Sequence, residues 1–432
     1  MAKAKDYDVF VSDYGHISKE FKAELTKAEI PFEEGKHSEE LMLNADLAIK
    51  SPGIPDDAAI VSKLRDQHIE VIDEIEFASR HTEATMIAIT GTNGKTTTTL
   101  LTYHILKESG FNVGLAGNVG HSLARQVVED TFDYYVLELS SFQLDGTTTF
   151  HPHISILLNI TPDHMDRYDY SLEKYSDSKF RIARNLTAKD HLIAYTDNDL
   201  IAAGIAKRDF TAQIHEVSLN QEVDTYLKDG EMVFADGLSI AQLDTVLLGP
   251  HNAINMMCAV KAAIIIGLGE ADIRSALKTF KNAPHRLEHV ATIDEVSFVN
   301  DSKATNVDSV KYALESFTNP LVWIAGGIDK GNDYDLIMES VNSKVKALVC
   351  LGKDNTKLRE AFHKEIINLL ETDNMKTAVR SAMEYAQAHD VVLLSPACSS
   401  FDLYKNYEDR GNQFKQAVID LKNEFEQKSL NQ

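Results

Sequence analysis

Cysteine is scarce here, with three in 432 residues. Cys258, Cys350 and Cys398 stand far apart in apolar or small-residue settings. No disulfide framework and no metal-ligand spacing can be drawn from them, so a reducing compartment is expected. Positive charge is also short: Lys and Arg total 43 against 66 Asp and Glu, a formal net charge of −23. That balance argues against a nonspecific surface for nucleic acid or anionic membrane, and it serves solubility. Anionic ligands would have to meet local clusters of lysine and arginine. Long apolar runs, a leader-like opening and low-complexity segments are missing as well. The expectation is a cytoplasmic monomer with no nucleic-acid and no membrane partner. Hydrophobic residues at 44% and charged residues at 25% suit a globular chain, and the length suggests about three domains.

What the chain does have is concentrated at residues 87–99, IAITGTNGKTTTT. An apolar run ends in a glycine-rich turn, followed at once by Lys95 and Thr96. Such a turn aims backbone N–H groups at a phosphate, the lysine adds charge, and the threonine hydroxyl can reach Mg²⁺. The match to G-x-x-x-x-G-K-[ST] is incomplete, because its first glycine would fall at Ile89.

Strand signals fall at residues 7–12 and 47–49, then at 86–90, 113–115, 134–139, 154–159 and 192–195. A helical run covers 254–280, and further strands fall at 296–299, 321–325, 347–351 and 391–394. Strands alternating with helices predict an α/β fold with mostly parallel sheets. The divisions read as 1–82, 83–283 and 284–432. In the middle segment the strands run into GTNGKT, into Gly117-Asn118, into ELSSFQ and into NITPDH. In the last they run into NDSKATN, GGIDKG, LGK and SPACSS. Parallel sheets gather such loops at their carboxyl edge, where open α/β folds bind ligands. Two polar edges suggest two domains facing one cleft.

Glu138 sits at a strand end like a carboxylate that anchors nucleotide metal. His164 could bind a second metal or a phosphate, oriented by Asp163, although a lone histidine is as often structural. Arg286, after His285, could stabilise charge on a transferring phosphate or form an interdomain ion pair. Lys303 and Lys330, with hydroxyls from Thr305 and Ser400, could bind a substrate carboxylate. Taken alone, each lysine also reads as a solvated surface charge.

GTNGKTTTT, ELSSFQL, NITPDHMDRY, SDSKFRIARN, GPHNAINMMCA, APHRLEHV, NDSKATN, GGIDKG and SPACSSFDLYKNYEDRG, in this order, resemble the Mur ligases of peptidoglycan synthesis. NDSKATN, GGIDKG and SPACSSFD resemble in particular the branch that adds D-glutamate. The resemblance implies three domains: a Rossmann-like first domain for the UDP substrate, a central P-loop ATPase-like domain and a Rossmann-like last domain for D-glutamate. It implies that ATP phosphorylates the carboxylate of UDP-N-acetylmuramoyl-L-alanine and that the amine of D-glutamate attacks. It places Gly91, Thr92, Asn93, Gly94, Lys95, Thr96 and Thr97 on the ATP phosphates, with Asn255 at the adenine and Arg286 and Asp301 at phosphates and ribose. Thr96, Glu138, His164 and Lys179 would serve Mg²⁺ at two sites, Lys179 as the lysine the family carbamylates. Lys95, His164, Lys179 and Arg286 would carry the catalysis. Asp13, Asn118 and Ser140 would meet the UDP substrate, and Lys303, Thr305, Lys330, Ser400 and Tyr407 would surround D-glutamate.

One departure stands out. The family's first domain opens with a strand, a glycine-rich turn and a helix. This sequence opens MAKAKDYDVFVSD, which reads as the tail of that helix and the second strand. The expectation is a first domain short of an internal strand, with unpaired backbone beside it. Two other readings are a ligase of the same architecture adding a different residue, and a nucleotide-binding switch without ligase chemistry. Lys303 and Lys330 argue against the first, and Lys179 with the last-domain cluster argues against the second.

Overall fold

The computed structural model describes every residue except 130, 248, 431 and 432, and the side chains of 428–430 are likewise left aside. The described residues form two compact units, Met1–Val246 with Ala253–Phe280, and Leu247–Asn252 with Lys281–Gln432.

The first unit is built on a nine-stranded sheet. Its strands are β5 (Thr85–Thr90), β6 (Val113–Gly117), β7 (Tyr134–Glu138), β8 (Ile154–Leu157), β9 (His191–Tyr195), β10 (Gln213–Ser218), β11 (Thr225–Lys228), β12 (Glu231–Phe234) and β13 (Ser239–Ala241), in spatial order 13-12-11-10-9-8-5-7-6. From β6 to β11 neighbours are parallel, and β12 and β13 are added antiparallel. β5 lies between β7 and β8, so the chain reverses its winding direction there. That is the switch point at which open sheets leave a crevice. The core includes Ala88, Leu137, Leu157 and Leu192 on one side of the strands.

The first eighty residues differ. β1 (Val11–Asp13) pairs in parallel with β2 (Phe32–Glu34), and β3 (Leu47–Ile49) with β4 (Glu70–Ile72), as two separate two-stranded sheets. The strand expected at 7–12 is therefore corrected to Val11–Asp13. No residue before Val61 is buried; in YDVF, Tyr7 packs edge-on against Phe77 and His81 instead of pairing in a strand, and Val9 and Phe10 are only half-buried. The helical run expected over 254–280 is two helices, Pro250–Ile266 and Glu270–Thr279. Gly267, at φ 98°, ends the first in a left-handed turn.

The second unit carries a six-stranded sheet of β14 (Glu288–Ile293), β15 (Val296–Asn300), β16 (Leu321–Ala325), β17 (Val345–Leu351), β18 (Asn368–Thr372) and β19 (Val391–Leu394), in order 14-15-19-16-17-18. Only β14 is antiparallel to its neighbour. Along β16 the side chains alternate between two cores: Leu321, Trp323 and Ala325 face one, Val322 and Ile324 the other. Both faces are covered, which is why this strand reads as an unbroken apolar run.

Candidate active site

The glycine-rich turn follows β5 and opens the helix Lys95–Glu108, whose N-cap is Gly94 at φ 84°. A side chain at Gly94 would collide with Asn255 Oδ1, and one at Gly91 would press on Leu158 at 2.9 Å. Both positions therefore require glycine. The turn is zipped to the loop after β8. Thr92 N donates to Asn159 O at 2.8 Å, Asn93 N donates to Asn159 Oδ1 at 2.8 Å, and Thr161 N donates to Thr92 Oγ1 at 3.0 Å. Thr96 and Thr97 are buried in the first turn of the helix. Asn255 accepts from Thr98 Oγ1 at 3.1 Å, so in this structure it braces the helix start.

Two lysines meet on one carbonyl. Lys95 Nζ donates to Gly91 O at 2.8 Å and Thr92 O at 2.7 Å, and Lys179 Nζ donates to Gly91 O at 2.8 Å. Lys179 is 1% exposed and lies over the Tyr175 ring at 4.6 Å. Burial, and then the neighbouring Lys95, hold its ammonium well below the usual lysine range, against the pull of Asp163 and Asp145. This disfavours the ammonium relative to the free amine. A free amine is the form that can take up CO₂, and the resulting carbamate would offer oxygens in place of a strained cation.

Glu138 closes β7. Its Oε1 accepts from Asn118 Nδ2 at 2.7 Å, while its Oε2 is buried without a partner. An orphaned carboxylate oxygen at 1% exposure fits a cation. The described residues hold no group of three or more His, Cys, Asp or Glu placed to bind a metal. Mg²⁺ here would accordingly lean on Glu138, the Thr96 hydroxyl and ligand phosphates, as that ion commonly does. Asn118 N also donates to Glu138 O at 2.8 Å, and the approach at Gly117 leaves no room for a Cβ beside that carbonyl. His164, at φ 52°, is held by Asp163, with Nε2 3.7 Å from Asp163 Oδ2 and its ring 5.1 Å from Phe142. Ser140 closes a capping box with Gln143. Asp13 ends β1 and accepts from Gly15 N at 2.7 Å.

In the second unit the expected residues fall at the carboxyl ends of β15, β19 and β16, which are adjacent. Arg286 has a buried Nε with no hydrogen-bond partner among the described residues. Asp301 accepts from Ser395 Oγ at 2.9 Å and from Leu287 N at 3.3 Å. Burial raises its carboxyl to about 7, with Ser395 and Arg286 opposing. Lys303 Nζ stands 5.4 Å over the Tyr407 ring. Thr305 lies just before Asn306, the N-cap of the next helix. Lys330 is exposed in a loop tied by Asp329, which accepts from Gly331 N, Asn332 N, Lys357 Nζ and Tyr334 OH. Ser400 is buried beside Cys398.

One residue the sequence reading leaves out organises this edge. Arg410, 1% exposed, donates to Ser302 Oγ at 3.0 Å, Ser302 O at 2.9 Å, Gly326 O at 3.2 Å and Cys398 O at 3.1 Å. A single guanidinium thus ties the loops that carry Lys303, Lys330 and Ser400. Burial lowers it to about 10. No signal in the sequence marks it: an arginine in a helix reads as a solvated charge, and only the fold shows that Gly411 beside it leaves no room for a Cβ against His285.

A glycine-rich turn at a sheet's switch point, followed by a second α/β unit with its own polar edge, places the protein among nucleotide-binding α/β proteins. Family models match along the chain: a MurD N-terminal domain at residues 1–60, a Mur ligase middle domain at 89–263 and a Mur ligase glutamate ligase domain at 285–398. The UDP-N-acetylmuramoylalanine–D-glutamate ligase of Cytophaga hutchinsonii is 51% identical over 98% of this chain and 95% of that protein. The protein of the same name from Bacteroides fragilis is 48% identical over 98% of this chain and 96% of its own length. Among solved structures, the MurF ligase of Thermotoga maritima in complex with ADP matches with a TM-score of 0.65 at 16% identity, covering 97% of both chains. MurC of the same organism matches at 0.62 and 18%, covering 98% of this chain and 95% of that one. The chain belongs to the Mur ligase family, with its three-domain α/β architecture, and within it to the UDP-N-acetylmuramoylalanine–D-glutamate ligases.

Proposed function

We propose that the protein joins D-glutamate to UDP-N-acetylmuramoyl-L-alanine at the expense of ATP, through an acyl phosphate. The observation that carries this reading is the 51% identity, over 98% of the chain, to a ligase that bears this activity in its name. We take the domains as 1–82, 83–283 and 284–432, and the working form as a cytoplasmic monomer.

The turn at 91–97 cradles the ATP phosphates through its N–H groups and Lys95. Thr96, Glu138, His164 and a carbamylated Lys179 would hold Mg²⁺, which supplies charge neutralisation at the phosphates when bound. Lys95 leaves the Gly91 and Thr92 carbonyls and turns to phosphate, which relieves its crowding with Lys179. Asp13, Asn118 and Ser140 orient the UDP substrate. Its terminal carboxylate attacks the γ-phosphorus, ADP leaves, and the acyl phosphate forms. Asn255 borders the adenine, and Arg286 and Asp301 meet phosphate and ribose. Lys303, Thr305, Lys330, Ser400 and Tyr407 bind D-glutamate, whose amine displaces phosphate from the acyl group and loses a proton as the amide forms. The protein's share is positioning and charge: the reactants are anions that repel one another in water.

Phosphate release measured with ATP and Mg²⁺ tests the proposal. It should require both the nucleotide-sugar substrate and D-glutamate, with the amide product seen by mass. Release that ignores D-glutamate points to a nucleotide switch, and release driven by another amino acid points to a different ligase.

A further inference from the structure

Arg167 lies on the short helical turn Met165–Tyr168, three residues beyond His164. It donates to three successive backbone carbonyls of the 51–54 turn: Pro52 O at 2.8 Å, Gly53 O at 3.3 Å and Ile54 O at 3.1 Å. That turn leaves the carboxyl end of β3 and is closed by Ile54 N donating to Ser51 O at 3.0 Å. Lys50 Nζ adds a second cationic donor to Ile54 O at 2.8 Å and stands 3.5 Å from Asp56. Arg167 itself meets no carboxylate among the described residues. Its other face lies on Phe142, 4.4 Å from the ring centroid, and the same ring stands edge-on to His164.

Three elements therefore converge on one guanidinium: the turn after β3, the helix that follows Glu138, and the loop that carries His164. That loop stores backbone strain, since His164, Asp169 and Tyr170 all have positive φ, at 52°, 53° and 57°. Non-glycine residues keep such angles only where surrounding contacts impose them. Carbonyls turned toward Arg167 direct the opposed peptide N–H of Gly53 away from it, because the peptide is planar and trans. The guanidinium thus fixes which face of the turn presents donors.

We propose that Arg167 is a positioning residue, which registers the 51–54 turn against the His164 loop and so sets the affinity for the nucleotide-sugar substrate. This rests on the proposed function. Lysine is a poor substitute, because one ammonium lacks the planar fork that spans adjacent carbonyls.

The test is a pair of variants, Arg167→Met and Arg167→Lys, in the full chain. In Arg167→Met the KM for UDP-N-acetylmuramoyl-L-alanine should rise about tenfold or more, with the KM for ATP within about twofold. Amide exchange at Ile54, whose N–H donates to Ser51 O, should quicken, while exchange along β5 stays unchanged and reports an intact fold. Arg167→Lys should recover part of the KM. An unchanged KM for the nucleotide sugar, an equal rise in the KM for ATP, or a raised KM with unchanged exchange at Ile54 would each overturn the proposal. His164→Ala, made alongside, keeps the two readings apart. Full turnover there removes His164 from the site, whereas the Arg167 proposal falls only on the outcomes just named.

Discussion

The two polar edges of this protein handle charge in opposite ways. At the carboxyl edge of the nine-stranded sheet the charged groups are buried and strained: Lys179 and Glu138 are each 1% exposed, and two lysines crowd one carbonyl. At the edge of the six-stranded sheet Lys330 is exposed and Lys303 half-buried, while two charged groups are buried, Asp301 and Arg410, and Arg410 holds loops. Burying a charge is costly and shifts its protonation. The first edge accepts that cost at Lys179 and Glu138. The second leaves Lys330 exposed and Lys303 half-buried, and takes its rigidity from Arg410 and Asp329. Under the proposed function, such accessible cations suit a small charged amino acid that leaves and regains its water shell with each turnover.

The comparison breaks most visibly at Lys95. Lys95→Ala should cost turnover about a thousandfold or more with little change in melting temperature, since it removes charge from a turn and not from a core. Turnover close to that of the parent protein would remove the phosphate role. Lys179→Ala should also lose activity, and high bicarbonate should not restore it. Short-chain carboxylates should recover part of it by supplying the missing oxygen ligand. An intact mass showing only free amine in a fully active protein would overturn the carbamate.

Effects at the second edge should be smaller and selective. Lys303→Ala and Lys330→Ala each remove one charge-assisted bond, worth roughly 1.5–3 kcal/mol. The KM for D-glutamate should rise by about ten- to a hundredfold, and the KM for ATP much less. Equal effects on both substrates would mean that these lysines serve something other than the amino acid.

How far the sequence reaches follows the same physics. β16 and β19 are read without error because a strand covered on both faces is a continuous apolar run. β2, β10 and β18 escape notice because FEE, QIHEVS and NLLET mix polar with apolar residues at lightly buried strands. The loops after the strands are legible, since glycine, asparagine and lysine cluster there for reasons of turn geometry and charge. Arg410 and Arg167 are not. A buried arginine bonded to carbonyls looks, in sequence, like any solvated helix or loop charge, and only the fold shows which carbonyls it gathers. In the first region the strands form two separate pairs, and their boundaries escape the sequence because little packing there enforces them.

The smallest effect, and the finest distinction between the edges, is in pH. Lys179 has a depressed folded value. Its neutral form is the one the fold prefers, so its contribution to stability is present above the ordinary lysine range and is lost as pH falls through the folded value. Asp301 has a raised folded value, about 7, caused first by burial. Its contribution is present below the ordinary carboxylate range near ~4 and is lost as pH rises through the folded value. The first edge should therefore gain stability with alkali and the second with acid. A global melt cannot separate them, because Asp73, a buried carboxyl in the first unit, is also raised to about 7. Protection factors along Leu321–Ala325, corrected for intrinsic exchange, read the second unit alone. Asp301 should lower them between about pH 4 and pH 7 in the parent protein, against the opposite slope of His285, whose value burial depresses. In Asp301→Asn, which keeps an acceptor for Ser395 and cannot ionise, that decline should flatten. If both proteins show the same slope, Asp301 does not titrate in this window, and the second edge holds its carboxylate as comfortably as it holds the exposed Lys330.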